Sequence, residues 1–256
     1  MRIAIKFSYD GRNYYGYARQ LQLKTIEGEI INSLMKHGII ENAKDSCFRS
    51  ASRTDKGVSA LCNIFAFNTD TSKKQMLQDL SSELTDIVFY GIKHVEPDFN
   101  PRYANQRQYR YYLFKKNFDV EKIIISAALF TGEHDFSNFA QAESFRNPVR
   151  TIDNIVFEET HDFLIIDFFA QTFLWHQIRR IVSALAKVGH GKLEKEQIIE
   201  ALAIPEKKVD FGLAPAEPLV LKNIIYNFEF KYDEKLLEKT RNMEKRIISY
   251  VQNHLR

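Results

Sequence analysis

The chain has 256 residues, 45% hydrophobic and 27% charged, which suits one large domain or two half-sized lobes and excludes a fibrous or low-complexity protein. Basic residues exceed acidic ones by 36 to 33, and the segment Lys231–Arg256 accounts for the whole net charge of +3. Charge sum therefore neither demands nor forbids a nucleic-acid partner; only arrangement can decide.

Cys47 and Cys62 are too few for a disulfide framework or a four-thiolate zinc site, and they are expected as buried reduced thiols. No His-x-x-x-His pair offers another metal site. The start Met-Arg-Ile-Ala-Ile-Lys-Phe-Ser carries charge too early for a signal peptide. The apolar run Ile123–Phe130, interrupted by Ser126, falls far short of the ~20 residues of a membrane-spanning helix. A soluble, cytoplasmic chain is expected.

Residues 2–8 alternate in polarity as a strand does, and a loop rich in Gly, Tyr, Arg and Gln follows from Tyr9 to Lys24. Thr25 is placed to cap a helix with an apolar stripe of Ile26, Ile30, Ile31, Leu34 and Met35. Cys47–Ser52 and Leu61–Asn68 read as strands around a polar turn, residues 73–84 as a short helix and Ile87–Val95 as a strand. Pro97–Pro101 punctuates the chain, so the lobes are set at 1–100 and 101–256. In the second, Tyr109–Phe114 is an aromatic strand and Val120–Phe130 a helix. Val149–Glu159 and Phe163–Gln171 form a hairpin turning at His161-Asp162. Trp175–Val188 is a helix closed by Gly189, and Ile198–Ala203 continues helical. Leu221–Phe230 is a last strand, followed by the charged amphipathic helix Lys231–Arg256. Hairpins without regular β-α alternation define an α+β class with a mainly antiparallel sheet.

Chemistry concentrates in a few places. Ser52-Arg53-Thr54-Asp55-Lys56-Gly57-Val58-Ser59-Ala60 sets a carboxylate between two cations in a tight turn. Such a turn can be purely structural, with Asp bonding its own backbone and Gly57 at positive φ, or it can hold Asp55 rigidly for catalysis. Tyr109-Arg110-Tyr111 puts both tyrosines on one strand face and Arg110 on the other. Arg179 and Arg180 are about 100° apart around their helix, so one can face inward while the other meets solvent. Gly189-His190-Gly191-Lys192 lacks the full phosphate-loop pattern.

In order along the chain stand Tyr9-Asp10-Gly11, Tyr14-Tyr15-Gly16 with Gln20, Arg53-Thr54-Asp55 with Gly57-Val58, and Tyr109-Arg110-Tyr111. His134-Asp135-Phe136-Ser137-Asn138-Phe139 and Phe173-Leu174 with Ile178-Arg179 and Ile181-Val182 complete the series. From about residue 3 to about residue 226 the chain resembles the TruA family of tRNA pseudouridine synthases. The resemblance implies two related lobes in a pseudouridine-synthase fold around a central basic cleft. It implies a homodimer and isomerisation of uridine to pseudouridine in the anticodon stem-loop of tRNA, with no metal and no cofactor. It makes Asp55 the catalytic carboxylate, Tyr109 the tyrosine that stacks on the target base, and Arg179 the arginine that pairs with the aspartate. Arg53 fills the space of the flipped uridine, and Arg180 is left to RNA or solvent. Lys56 and Ser59 depart from the Ala and His of bacterial members, and Tyr17-Ala18 from a Trp-Gln pair, which is more like the archaeal branch. The alternatives are a non-catalytic tRNA-binding protein and a synthase with a different RNA target.

Overall fold

The computed structural model describes residues 1–71, 76–142 and 147–254, and they form two compact units. The first contains Met1–Asn105 and Val220–Tyr250; the second runs through Gln106–Leu219 and resumes at Val251. The punctuation at Pro97–Pro101 lies just before the first of these junctions. Residues 220–250, however, return to the first unit instead of staying with everything after residue 100.

In the first unit β1 (Arg2–Tyr9) pairs antiparallel with two strands introduced below, so both of its hydrogen-bonding edges are occupied. Its alternation survives in what each face meets. Phe7 stacks among apolar rings, whereas Ser8 meets Thr240 by a 2.9 Å hydrogen bond and Arg2 donates to the Phe99 carbonyl at 2.8 Å. In α1 (Ile26–Lys36) Thr25 accepts from the Gly28 N–H as the cap, and Ile26, Ile30, Ile31 and Leu34 are buried. Met35, expected in that stripe, is instead 44% exposed. The short β2 (Arg49–Ser50) and the longer β3 (Ser59–Asn68) flank the Asp55 turn. Cys62 is buried in β3, but Cys47 lies exposed at φ 48° in the turn before β2, a correction to the expectation of two buried thiols. Then come α2 (Met76–Glu83) and β4 (Ile87–Val95). The first residues of the helix expected at 73–84 lie outside the described residues.

The second unit opens with β5 (Gln106–Phe114), α3 (Val120–Ala127) with a 3-10 turn at Ala128–Phe130, and β6 (Gly132–Asp135). β7 (Val149–Ile152), β8 (Asn154–Glu159) and β9 (Phe163–Ala170) follow. The hairpin expected here splits: β8 returns on β9 through His161-Asp162, while β7 turns away at Asp153 to pair with β6. Next come α4 (Gln177–Gly189) and α5 (Lys195–Ala203). Within this unit β9 lies between β5 and β8, antiparallel to both.

β10 (Leu219–Ile225) carries the chain back to the first unit. Val220 and Leu221 register in parallel with Ser59 and Ala60 of β3. The strand expected to reach Phe230 stops at Ile225; Lys231–Tyr232 forms a separate short β11 on β4, and α6 (Glu234–His254) begins after it. Residues 255–256 of the expected helix are outside the described residues. Leu236, Thr240, Met243, Ile247 and Val251, spaced by three and four, form the buried stripe of α6. The sheet order in the first unit is β11-β4-β1-β3-β10, antiparallel except for β3 and β10. Phe7, Phe65 and Phe89 pack in its core with ring centroids 5.2–6.0 Å apart. Each buried ring of this size contributes roughly 1.5–3 kcal/mol. Among the described residues no helix is long and apolar enough to cross a membrane.

Candidate active site

The Asp55 turn is held by its flanking strand β3, by the end of β1 and by the loop that follows β1. β2 ends at Ser50 and β3 begins at Ser59, so residues 51–58 lie outside both strands, although the Ala51 N–H still donates to the Ile64 carbonyl of β3 at 2.8 Å. Further hydrogen bonds hold them. The Tyr17 N–H donates to the Thr54 carbonyl at 3.0 Å, the Tyr9 hydroxyl meets Thr54 Oγ1 at 2.8 Å, and Asn63 Nδ2 donates to the Ser52 carbonyl at 2.9 Å. At the far end the Gly11 N–H donates to Ser59 Oγ at 3.0 Å. The turn itself closes through the Val58 N–H to the Asp55 carbonyl at 3.2 Å, with Gly57 at φ 87°. Several such bonds, each of about 0.5–1.5 kcal/mol net, fix the backbone on both sides of the carboxylate.

The glycines of the first loop are required, Gly11 by contact and Gly16 by its positive φ. A Cβ on Gly11 would lie 2.0 Å from the Val58 carbonyl oxygen. Gly16 has φ 99°, and a Cβ there would lie 3.3 Å from the Lys56 amide nitrogen. Asp10 caps the short 3-10 turn Gly11–Asn13 through the Arg12 N–H and receives Arg12 Nε at 2.8 Å. Tyr17 is fully buried and its hydroxyl donates to Ser50 Oγ at 2.6 Å; burial holds this phenol well above its usual pKa, so it stays a neutral donor. The Tyr-Asp-Gly and Tyr-Tyr-Gly segments therefore fold into the clamp on the aspartate turn. Asp55 is half-buried, while Arg53 and Lys56 are exposed, and the Lys56 ammonium lies 4.4 Å from the centre of the Tyr15 ring.

The other residues singled out in the sequence belong to the second unit. Tyr109 sits in β5 opposite Phe168 of β9, buried, its ring edge-on to Phe173 at 5.4 Å and 86°. Arg110, on the opposite strand face as alternation requires, forms a bidentate pair with Asp167 across β9 at 3.0 and 2.7 Å. That hydrogen bonding holds its guanidinium above the usual arginine range. Arg110 is thus held in a sheet ion pair.

α4 starts at Gln177, two residues later than the sequence suggests, because His176 takes φ 63° and Trp175 is left 48% exposed. Its apolar face of Ile178, Ile181, Val182 and Leu185 is buried as expected. The neighbouring arginines diverge, as their angular offset requires. Arg179 Nε donates to the Ala214 carbonyl at 2.8 Å, and the Ala214 N–H donates back to the Arg179 carbonyl at 3.2 Å. Arg180, expected at RNA or solvent, meets Asp210 at 2.9 Å. The Gly212 N–H and then Arg180 hold the Asp210 carboxyl below its usual range.

Both arginines therefore touch a segment that the sequence analysis passed over. Residues 210–218 form a strap fastened by Arg180 at Asp210, Ser183 at the Phe211 carbonyl (2.8 Å), Arg179 at Ala214, and Tyr111 at the Pro215 carbonyl (3.2 Å). Its available signal was Phe211-Gly212 and two prolines between a helix and a strand, with Gly212 at φ 81°. The segment His134–Phe139 is structural: Phe136 and Phe139 are buried, and Asn138 bridges the Ala201 carbonyl and the Val209 N–H.

The candidate residues thus divide by unit, with Arg53 and Asp55 in the first and Tyr109, Arg179 and Arg180 in the second. Among the described residues no group of three His, Cys, Asp or Glu side chains could hold a metal. Residues 126–227 match the family model described as tRNA pseudouridine synthase, which sets the class as the pseudouridine synthases. A tRNA pseudouridine synthase A from Thermococcus sibiricus is 43% identical over 245 residues, covering 94% of this chain and 91% of the relative. Its counterpart from Thermococcus gammatolerans is 42% identical with the same coverage. The chain belongs to the tRNA pseudouridine synthase A family. A distant likeness, 13% identical with a TM-score of 0.34, is to a solved H/ACA RNP bound to a substrate RNA containing 2′-deoxyuridine; it covers 72% of this chain and 53% of that one.

Proposed function

We propose that this chain isomerises uridine to pseudouridine in the anticodon stem-loop of tRNA, with Asp55 as the reacting carboxylate. The clamp on the Asp55 turn carries the reading: a glycine without room for a methyl, a second at positive φ, two tyrosines and an asparagine hold one short loop around one half-buried carboxylate. A turn that merely joined two strands would not need it.

The reaction breaks the C1′–N1 bond, turns the uracil, forms C1′–C5, and moves a proton from C5 to N1. No atom is gained or lost, so no co-reactant is needed. The target base must leave its stack, which costs a few kcal/mol. Ionised Asp55 serves C1′ as nucleophile or as the countercharge to its developing positive charge. Tyr109 offers a π-face and a hydroxyl to the freed uracil, and Arg179 serves as the arginine partner of the aspartate. Arg53, exposed beside Asp55 in sequence, takes the place the base vacates. Arg180 is given no substrate role, since Asp210 holds it. The same reading makes the chain a cytoplasmic homodimer.

Mapping pseudouridine at nucleotide resolution in tRNA treated with the purified protein tests the activity and its positions. Asp55→Asn should abolish product while changing tRNA affinity little, because shape and hydrogen-bonding reach survive and the charge does not. More than about a tenth of the wild-type single-turnover rate in that variant is incompatible with a reacting carboxylate, whose loss costs far more.

A further inference from the structure

Next to the clamped turn, the loop from Tyr15 to Lys24 has a built geometry of its own. The Tyr15 N–H donates to the Lys24 carbonyl at 2.9 Å, Gln20 Nε2 donates to the Tyr15 carbonyl at 2.9 Å, and the Leu23 N–H reaches the Gln20 carbonyl at 3.4 Å. Its root is fixed on the Asp55 turn through Gly16 and the Tyr17 N–H. At its tip Leu21 is 91% exposed, and the next residue, Gln22, takes φ 61°, a backbone conformation that side chains other than glycine rarely adopt. A rigid loop thus presents a bare leucine to solvent.

The surroundings are basic and aromatic. Lys24 lies 4.8 Å from the centre of the Tyr14 ring and Lys56 lies 4.4 Å from that of Tyr15, whose ring is half exposed; Arg53 is also exposed. Of the carboxylates around this loop, Asp86, Glu29 and Asp10 face the Tyr14 hydroxyl, and Glu27 is engaged by Arg19 at 3.5 Å. An apolar tip on a loop whose root carries exposed cations suits a polyanion whose interior is apolar, which describes a nucleic-acid base stack.

We propose that Leu21 is a wedge that enters a base step flanking the target uridine and so helps bring that uridine out of its stack. Apolar side chains inserted between bases unstack them in this way, and the surrounding cations hold the adjoining phosphates. Leu21 is a substrate-positioning residue, distinct from Asp55, and the inference rests on the chain acting on RNA as proposed above.

The test uses anticodon-arm hairpins with 2-aminopurine scanned through the loop, bound by the full chain in an Asp55→Asn background so that RNA is not turned over. Binding should raise the fluorescence at a position beside the target. Leu21→Ala should remove most of that rise with affinity within about threefold and, in the chain with Asp55 intact, slow single-turnover isomerisation by at least about tenfold, since unstacking is the step it serves. Leu21→Met should restore both. An unchanged rise in Leu21→Ala, or no rise at any position with Leu21 present, overturns the wedge. So does a change in the solution mass of the RNA-free chain on Leu21→Ala, which would make the leucine a contact between copies. If the rise depends on Leu21 while the wild-type chain makes no pseudouridine, the wedge stands and the proposed activity falls.

Discussion

One added methyl group is enough to probe how the aspartate turn is held. In Gly11→Ala the new Cβ meets the Val58 carbonyl oxygen at 2.0 Å, a backbone atom that cannot swing aside. The turn must shift, at a cost of about 1–3 kcal/mol in stability. Because a misplacement of about 1 Å in a reacting group can cost ~10²-fold, the single-turnover rate should fall much further than stability alone explains. Gly38→Ala is the matched comparison: φ is +62° and nothing lies within 4 Å, so backbone strain of about 1–2 kcal/mol is expected with no effect on rate. Denaturant midpoints and rates for both variants check this; equal rate losses would show that Gly11 acts only through global stability. At this scale the sequence was informative about kind and silent about partner. A carboxylate in a glycine-bearing turn was legible at Asp55. That Tyr9, Gly11, Gly16 and Tyr17 hold it was not, because they meet it, Tyr9 by its hydroxyl and the others by backbone, from some forty residues away. Met35 and Cys47 were misread for a related reason, since apolar character does not tell which side of an element the chain will cover.

Helices and long strands were the most readable elements, because their periodicity comes from the face they bury. Thr25 before α1 and the apolar stripe of α4 followed directly. The short polar β6, Gly132–Asp135, carried no such pattern, and the parallel return of β10 to β3 joins residues about 160 positions apart that no local signal connects. The strap at 210–218 was missed for the same reason, yet it separates the roles of the two arginines. Arg179→Ala should lose most of the isomerisation rate, whereas Arg180→Ala should stay near wild type; the reverse outcome would mean that the wrong arginine carries the site. Arg180→Ala has its own signature in stability. Asp210 is held below the usual carboxylate range by the Gly212 N–H first and Arg180 second. A depressed carboxyl stabilises the fold above its unfolded pKa of about 3.9, and that contribution is lost as pH falls through the lower folded value. Thermal midpoints of wild type and Arg180→Ala should therefore differ most near neutral pH and converge in acid. Since Asp210 is 78% exposed, solvent screening limits the difference to about 1 kcal/mol or less. A gap that persists at low pH would assign the loss to packing of the guanidinium instead.

For the whole chain, a net charge of +3 confined to Lys231–Arg256 says little about RNA, and the way its charges pair says more. On α6, Glu244 is engaged by Lys222 and Glu238 by Arg241, while Asp233 accepts backbone N–H groups at the helix start. Lys235, Lys239, Lys245 and Arg246 remain exposed along the same helix. Beside the aspartate turn, Lys24, Arg53 and Lys56 are likewise exposed. The exposed cations grouped on α6 and beside the aspartate turn are what allow a chain of nearly balanced composition to meet a polyanion. If tRNA binding proceeds through these cations, each phosphate they neutralise releases condensed counterions, and the logarithm of affinity should fall linearly with the logarithm of salt. Five or more contacts, at roughly 0.7–0.9 ions released per phosphate, predict a slope of about −4 or steeper. Binding of tRNA to the Asp55→Asn chain, measured by fluorescence anisotropy from about 50 to 200 mM salt, gives that slope without turnover. The expected loss over this range is at least about a hundredfold in affinity. A slope near zero would mean that phosphates contribute little, and would leave base stacking and shape to carry binding that the distribution of cations otherwise explains.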